Sequence, residues 1–279
     1  MINQLSEKVV LITGASSGIG EATAMLLNKE GCRVYGAARR LEKMEHLQAL
    51  GIRVIKMDMT KDDQIVAGVE TIIKEQGKID ILVNNAGYGS YGAIEDVPLE
   101  EARRQFEVNI FGLARLCQLV LPHMRRNNYG KIVNISSMGG KLYAPLGGWY
   151  HATKYALEGL SDCMRMETKE FGIDVIIIEP GIIKSEWGDI AIDSMVKTSG
   201  STSYSKLAQA AAKLFKKAYA HPRSSPPDVI AQVILKAVTS KRPKTRYVAG
   251  HMARTYLFFR KMLSDKIFDK MMLLAVKQV

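Results

Sequence analysis

Cysteine is scarce: Cys32, Cys117 and Cys163 are the whole set in 279 residues. An odd, scattered trio offers neither a disulfide framework nor a metal-ligating cluster, and it suits a reducing, cytoplasmic setting. Long apolar runs are missing too. No stretch of about 18 or more apolar residues occurs, so no helical membrane span is expected. Met1-Ile2-Asn3-Gln4 shows no basic segment leading into an apolar one, so no secretory leader is expected. Acidic charge is in deficit: 28 Asp/Glu stand against 39 Lys/Arg, a net of +11. From Lys241 onward ten Lys/Arg meet only Asp265 and Asp269, so +8 of that excess lies in the tail. The basicity is therefore local, and no nucleic-acid-binding face is expected.

What is present is apolar material, 47% of the chain, enough for one full core across residues 1–279. Short apolar runs rich in β-branched residues alternate with helix-period segments. Strands are predicted at Lys8–Thr13, Cys32–Ala37, Arg53–Met57, Ile79–Asn84, Lys131–Ile135 and Ile173–Glu179, with a last one at Arg246–Ala249. Helices are predicted at Gly20–Glu30, Asp62–Glu75, Leu99–Arg126, Trp149–Phe171 and from Pro227 to about Ser240. Strands this apolar, each followed by a helix, imply a parallel sheet covered on both faces. Right-handed crossovers then give a doubly wound α/β fold of the Rossmann type. Order is expected to weaken after Pro180, and residues 194–225 are rich in Ser, Thr, Ala and Lys. From His251 a basic amphipathic helical tail is expected, with Met252, Tyr256, Phe259, Leu263, Ile267, Met271 and Leu274 as its apolar stripe.

The first strand runs into Thr13-Gly14-Ala15-Ser16-Ser17-Gly18-Ile19-Gly20. Glycines at a strand-to-helix junction let the backbone approach a pyrophosphate, and the helix N-terminus supplies N–H donors. The same stretch contains Gly-x-Ser-x-Gly, the nucleophile elbow of serine hydrolases, with Ser16 as nucleophile. That chemistry needs strands before the elbow and a His in a recognisable setting, and neither is present. At the end of the second strand stands Ala37-Ala38-Arg39-Arg40. An Asp or Glu there accepts from a ribose 2′-OH; an Arg accommodates a 2′-phosphate. Arg39 thus predicts NADP(H) over NAD(H). Farther on, Tyr150 and Lys154 lie one helical turn apart. A free phenol titrates near pH 10, and a neighbouring ammonium favours phenolate.

Thr13-Gly14-x-x-x-Gly18-Ile19-Gly20, Asn84-Asn85-Ala86-Gly87, Asn109, Ser137, Tyr150-x-x-x-Lys154 and Pro180-Gly181 together resemble the short-chain dehydrogenase/reductase family, over about residues 6–185. The Ala-Ala-Arg step, the run from Asn84 to Asp96 and the tail are similar to its 17β-hydroxysteroid and retinol dehydrogenase branch. The resemblance implies an oxidoreductase with Tyr150 as general acid/base and Ser137 holding the substrate oxygen. It implies that Lys154 tunes Tyr150 and binds the nicotinamide ribose, while Asn109 holds a water that links Lys154 to solvent. Implied cofactor contacts are Gly14, Ser16, Ser17, Gly18, Ile19, Gly20, Arg39, Asp58 at the adenine, Asn85, Ala86, Gly87, Pro180, Gly181, Ile183 and Ser185 at the nicotinamide amide. A bland reading of Asp58 is a turn-forming Asp-x-Thr. A homodimer or homotetramer paired through the long helices is also implied.

The substrate pocket is expected from Tyr88, Met138, Leu142, Tyr143, Leu146 and Trp187, with Ser90, Trp149 and Ile182 beside them. This set is apolar and aromatic, which suits a lipophilic alcohol or ketone. Residues 187–225 are expected to form a mobile lid. The tail is expected to pack on protein; the alternative is an anionic membrane surface. A nucleotide-binding regulator without turnover is the second function class.

Overall fold

The computed structural model describes residues 5–277. The expectation for Met1–Gln4 and the last two residues of the tail lie outside that range. Seven parallel strands form one sheet in the order β3-β2-β1-β4-β5-β6-β7. They are β1 (Val9–Thr13), β2 (Arg33–Ala38), β3 (Arg53–Lys56), β4 (Ile81–Asn84), β5 (Gly130–Ile135), β6 (Ile173–Pro180) and β7 (Arg246–Ala249). The helices are α1 (Gly18–Lys29), α2 (Glu45–Ala49), α3 (Asp62–Gln76), α4 (Leu99–Phe106), α5 (Gly112–Arg126), α6 (Gly148–Thr168), α7 (Glu186–Ser199), α8 (Ser205–Ala220), α9 (Pro227–Thr239), α10 (Ala253–Met262) and α11 (Asp265–Lys277). β1 pairs with β2 on one side and β4 on the other, so strand order reverses there. In open α/β sheets that switch point, at the carboxyl ends of the strands, is where a ligand crevice opens.

Every residue of β1, β4 and β5 is buried, as a sheet covered on both faces requires. One core layer joins Val10, Ile12, Val83 and Ile178 to Leu27 and Ile234. The other joins Leu11, Leu82 and Ile132 to Ile72, Leu116 and Leu157. The long helix expected over Leu99–Arg126 is interrupted by a π-helical stretch, Glu107–Phe111, with Asn109 inside it. Such stretches recur at functional sites.

Two expectations are corrected beyond Pro180. The polar, Ser- and Lys-rich stretch is not weakly ordered: it is the helical pair α7 and α8. Ala191, Met195, Ala208 and Ala211 bury between them, and the small alanines let the helices approach closely. The tail is two helices, not one. Leu263 is extended (φ −98°, ψ 141°), which resets the helical phase. Phe268 and Val276 therefore turn inward, while Phe259, Ile267 and Leu274 of the expected stripe face outward. Among the described residues no helix is long and apolar enough to cross a membrane. All three cysteines are free, Cys32 and Cys117 buried and Cys163 exposed.

Candidate active site

A cleft of about 410 Å³ opens at the switch point. Gly14 takes a left-handed conformation (φ +67°), and a Cβ there would sit 2.8 Å from Asn85 Nδ2 and 2.9 Å from Ala86 Cα. The turn after β1 thus presses on the loop after β4. Thr13 welds the two: its buried Oγ1 accepts from Asn85 N at 3.1 Å and Ala86 N at 3.0 Å. Asn85 Nδ2 returns bonds to Thr13 O at 3.0 Å and Gly14 O at 3.2 Å. Ser16, Ser17, Gly18 and Ile19 line the cleft beside Gly14. Ser17 is extended and caps α1 with no side-chain bond, which leaves first-turn N–H donors for an anion. Gly20 does not line the cleft. A Cβ there would lie 2.3 Å from Gly14 O, so its role is close helix packing.

Arg39, Asp58, Asn85, Ala86, Gly87, Pro180, Gly181, Ile183 and Ser185 all border the same cleft. Arg39 is exposed and makes no ion pair or hydrogen bond among the described residues. Its neighbours are engaged: Arg40 and Lys43 reach Glu186 at 3.5 and 2.9 Å across the cleft mouth. Lys43 holds the Glu186 carboxyl below its ordinary value. Asp58 Oδ1 accepts from Thr60 N at 3.0 Å and Thr60 Oγ1 at 2.9 Å, so the turn reading describes its carboxylate, at the cleft wall.

The catalytic candidates converge at the other end. β5 runs into Ser137, whose Oγ accepts from Gly139 N at 3.0 Å and lines the cleft with the Tyr150 phenol. Lys154 Nζ donates to Ile135 O at 2.9 Å and lies 5.9 Å from the Tyr150 ring centre. Asn109 does not line the cleft. Its Nδ2 donates to Tyr88 O and Thr153 Oγ1, both at 3.0 Å, and its Oδ1 accepts from Tyr88 N at 3.1 Å. That side chain fixes the loop after β4 to α6, and both its donors are already used.

The expected lowering of the Tyr150 pKa is corrected. Burial pushes the phenol up to about 12, with the Ser137 hydroxyl pulling the other way. Its ring is 5.1 Å from Trp187 and 5.6 Å from Tyr91, so water is excluded on those sides. Burial also brings Lys154 down to about 8, opposed by the charge of Glu158.

Of the expected substrate residues, Tyr88, Met138, Leu142 and Trp187 line the cleft, as does Ile182. Tyr143 does not: its hydroxyl donates to Asp269 at 2.9 Å and its ring packs on Phe268, so it anchors α11. Leu146 is core, packed with Tyr91 and Met195. Ser90 is buried off the cleft, and Trp149 packs on Phe106. Sequence reading missed Tyr91, Phe215, Tyr219, Tyr256 and Met272, all on the cleft wall. Tyr91 stands three residues past Tyr88 and was within reach of the motif; the others come from distant helices. It also missed His151. Its Nδ1 lies 2.9 Å from Gly139 O and its Nε2 accepts from Ala144 N at 3.1 Å, which fixes the neutral Nδ1–H tautomer. Burial lowers its pKa, so it is a neutral brace for the Ser137 loop. The His151 and Asp58 that share the cleft with Ser16 are bonded elsewhere, to Gly139 O, Ala144 N and Thr60, so the hydrolase reading finds no support there.

A short chain dehydrogenase family model matches residues 8–195. A 3-ketodihydrosphingosine reductase of Bacteroides thetaiotaomicron is 40% identical over 185 residues, 66% of this chain and 67% of that one. A probable short-chain type dehydrogenase/reductase, VdlC, of Helicobacter pylori is 32% identical over 96% of this chain and 97% of its own. A crystal structure of a short-chain dehydrogenase from Streptomyces avermitilis superposes with a TM-score of 0.81 at 32% identity, covering 92% of this chain and 93% of that one.

Proposed function

The chain belongs to the short-chain dehydrogenases, a family of oxidoreductases that bind nicotinamide dinucleotides, and we propose that it is an NADP(H)-dependent reductase of a lipophilic ketone. The observation that carries this reading is the cleft itself. At one end stands the Arg39 guanidinium, without an ion pair among the described residues, and at the other Ser137, Tyr150 and Lys154 under an aromatic wall. The uncapped start of α1 and the tight Gly14 turn fit a pyrophosphate. Arg39 would take the 2′-phosphate and Lys154 the nicotinamide ribose. The bound cofactor supplies the hydride. Ser137 orients the substrate oxygen by a hydrogen bond. Tyr150 gives that oxygen its proton, and the neutral phenol that burial favours is the form that can give one. Trp187, Tyr91 and Tyr219 exclude water and suit an apolar substrate body. The reductase from Bacteroides, by its name a ketone reductase, supports this substrate class. Exposed Leu99, Phe111 and Met166 on the long helices suit self-association, and we propose a homo-oligomer paired there.

Fluorescence titration with NADPH and NADH side by side tests the cofactor. The expected result is tighter NADPH binding, weakened selectively by Arg39→Asp about tenfold or more. Equal binding of both would remove the Arg39 argument and leave the dehydrogenase reading. Tight cofactor binding without turnover of any alcohol or ketone would favour a regulator.

A further inference from the structure

On the side built by α7, α8 and α11 the cleft wall includes Trp187, Ile190, Leu214, Phe215 and Met272. Pockets of this kind fix a lipophilic molecule by a few placed polar groups in an apolar wall. Besides the proposed proton donor Tyr150, four phenols border the cleft: Tyr88, Tyr91, Tyr219 and Tyr256. Tyr88 donates to Glu101 at 3.0 Å, so its hydroxyl is engaged. Tyr219 packs on Trp187 and Phe215, one ring removed from Tyr150. Tyr256 is half-buried on α10. Tyr91 differs from all three. It is 3% exposed, and its ring adjoins that of Tyr150 at 5.6 Å. Its hydroxyl makes no hydrogen bond among the described residues, yet it is not sealed in by protein, and the ring borders the cleft. A buried phenol ordinarily has a partner.

The Tyr91 ring is also held in place. A Cβ at Gly89 would sit 2.9 Å from its Cε2, and one at Gly147 would sit 2.8 Å from its Cε1, so two glycines leave a slot for the hydroxyl-bearing end. The backbone is pinned on both sides: Tyr91 N donates to Ser194 Oγ at 2.8 Å and Gly92 N to Leu146 O at 2.8 Å. Phe215 meets the ring at 5.3 Å and Trp187 at 5.9 Å, both edge-on. A side chain locked by its surroundings holds its polar atom at a fixed point. Burial keeps this phenol protonated, its pKa well above the ordinary value, so the hydroxyl both donates and accepts.

We infer that the Tyr91 hydroxyl is a second substrate-binding group, and that the substrate is a lipophilic ketone with an oxygen on the carbon beside its carbonyl. Tyr150 meets the carbonyl oxygen, and Tyr91, on the adjoining ring, meets the neighbouring oxygen. A ketone without that second oxygen leaves the Tyr91 hydroxyl unpaired in a closed wall, and sites built to bond a substrate oxygen select against its absence. Reduction of the ketone rests on the reading proposed above; the Tyr91 contact does not.

The test is the binding of two probes that differ by one oxygen, methyl hexyl ketone and hydroxymethyl hexyl ketone, to the full chain with NADP+ present. NADP+ cannot reduce either ketone, so tryptophan emission reads binding without turnover. The wild type is expected to bind the hydroxymethyl ketone about tenfold more tightly. Tyr91→Phe deletes one oxygen and keeps the ring in its slot, and it is expected to bring the two affinities to within about twofold of each other. Equal binding of both probes by the wild type, or binding of neither, overturns the inference. So does a preference that survives in Tyr91→Phe, or one lost in Tyr219→Phe alone. Turnover is read separately, with NADPH in place of NADP+. Equal binding with turnover of both probes removes the Tyr91 contact and leaves the reductase reading. A tenfold preference without turnover defeats the enzyme reading alone.

Discussion

The Trp187 indole covers the Tyr150 ring at 5.1 Å, with the planes tilted by 55°. Tyr150 is the proposed proton donor, yet it is only 7% exposed. Trp187, at the start of α7, walls one side of that phenol. We propose that this first turn shifts when a substrate carbonyl approaches. The chain has two tryptophans, and Trp149 is packed on Phe106 away from the cleft. Adding NADPH with an unreactive alcohol analogue is therefore expected to change tryptophan emission in the wild type and not in Trp187→Phe. Persistence of the full change in Trp187→Phe would place the moving group elsewhere.

Lys154 gives a pH-dependent signature. Its pKa falls from 10.5 to about 8, with burial as the main cause. Below that window folded and unfolded chains both carry the proton. Within it the unfolded chain keeps a proton that the folded chain has lost, so this group makes stability rise with pH. Lys154→Met removes the effect. Urea unfolding from about pH 7 to about pH 10.5 should show the wild type gaining on the variant by up to about 3 kcal/mol. A stability difference that stays flat across those pH values would contradict the burial of the charge.

Thr13→Val tests the weld between the two cofactor loops. The methyl replaces an oxygen that accepts from both Asn85 N and Ala86 N. Unsatisfied donors of this kind cost about 1–3 kcal/mol. A stability loss of about 2 kcal/mol is expected, together with weaker dinucleotide binding, because the loop bearing Ala86 and Gly87 is no longer fixed. Unchanged cofactor affinity in a destabilised variant would show that the weld serves the fold alone.

The tail is proposed to pack on its own domain. Ala253, Phe268 and Val276 are buried, and Tyr256 and Met272 form part of the cleft wall. Deleting residues 251–279 is expected to lower the melting temperature and the solubility. The full chain is expected to stay in the supernatant when anionic liposomes are sedimented. Co-sedimentation lost on deletion would instead assign the outward Phe258, Met262 and Leu274 to a lipid surface.

Sequence alone determined the seven-strand order of events along the chain. Buried parallel strands need apolar residues on both faces, and runs such as Val9–Thr13 have no other use. It also pointed to Gly14 through the tight turn and to the Tyr150–Lys154 spacing through the helical repeat, both local constraints, while Ser137 was legible only through the family resemblance. Tertiary structure decided the rest. Whether Tyr143 faced the cleft or Asp269 depended on a helix 126 residues away. The expected lowering of the Tyr150 pKa was overridden by Trp187 and Tyr91, whose burial of the phenol no spacing along α6 expresses. The tail's buried face turned on one extended residue, Leu263, since a single break in a helix rotates every side chain beyond it. Local periodicity fixes which elements form; desolvation and long-range contact depend on which elements meet.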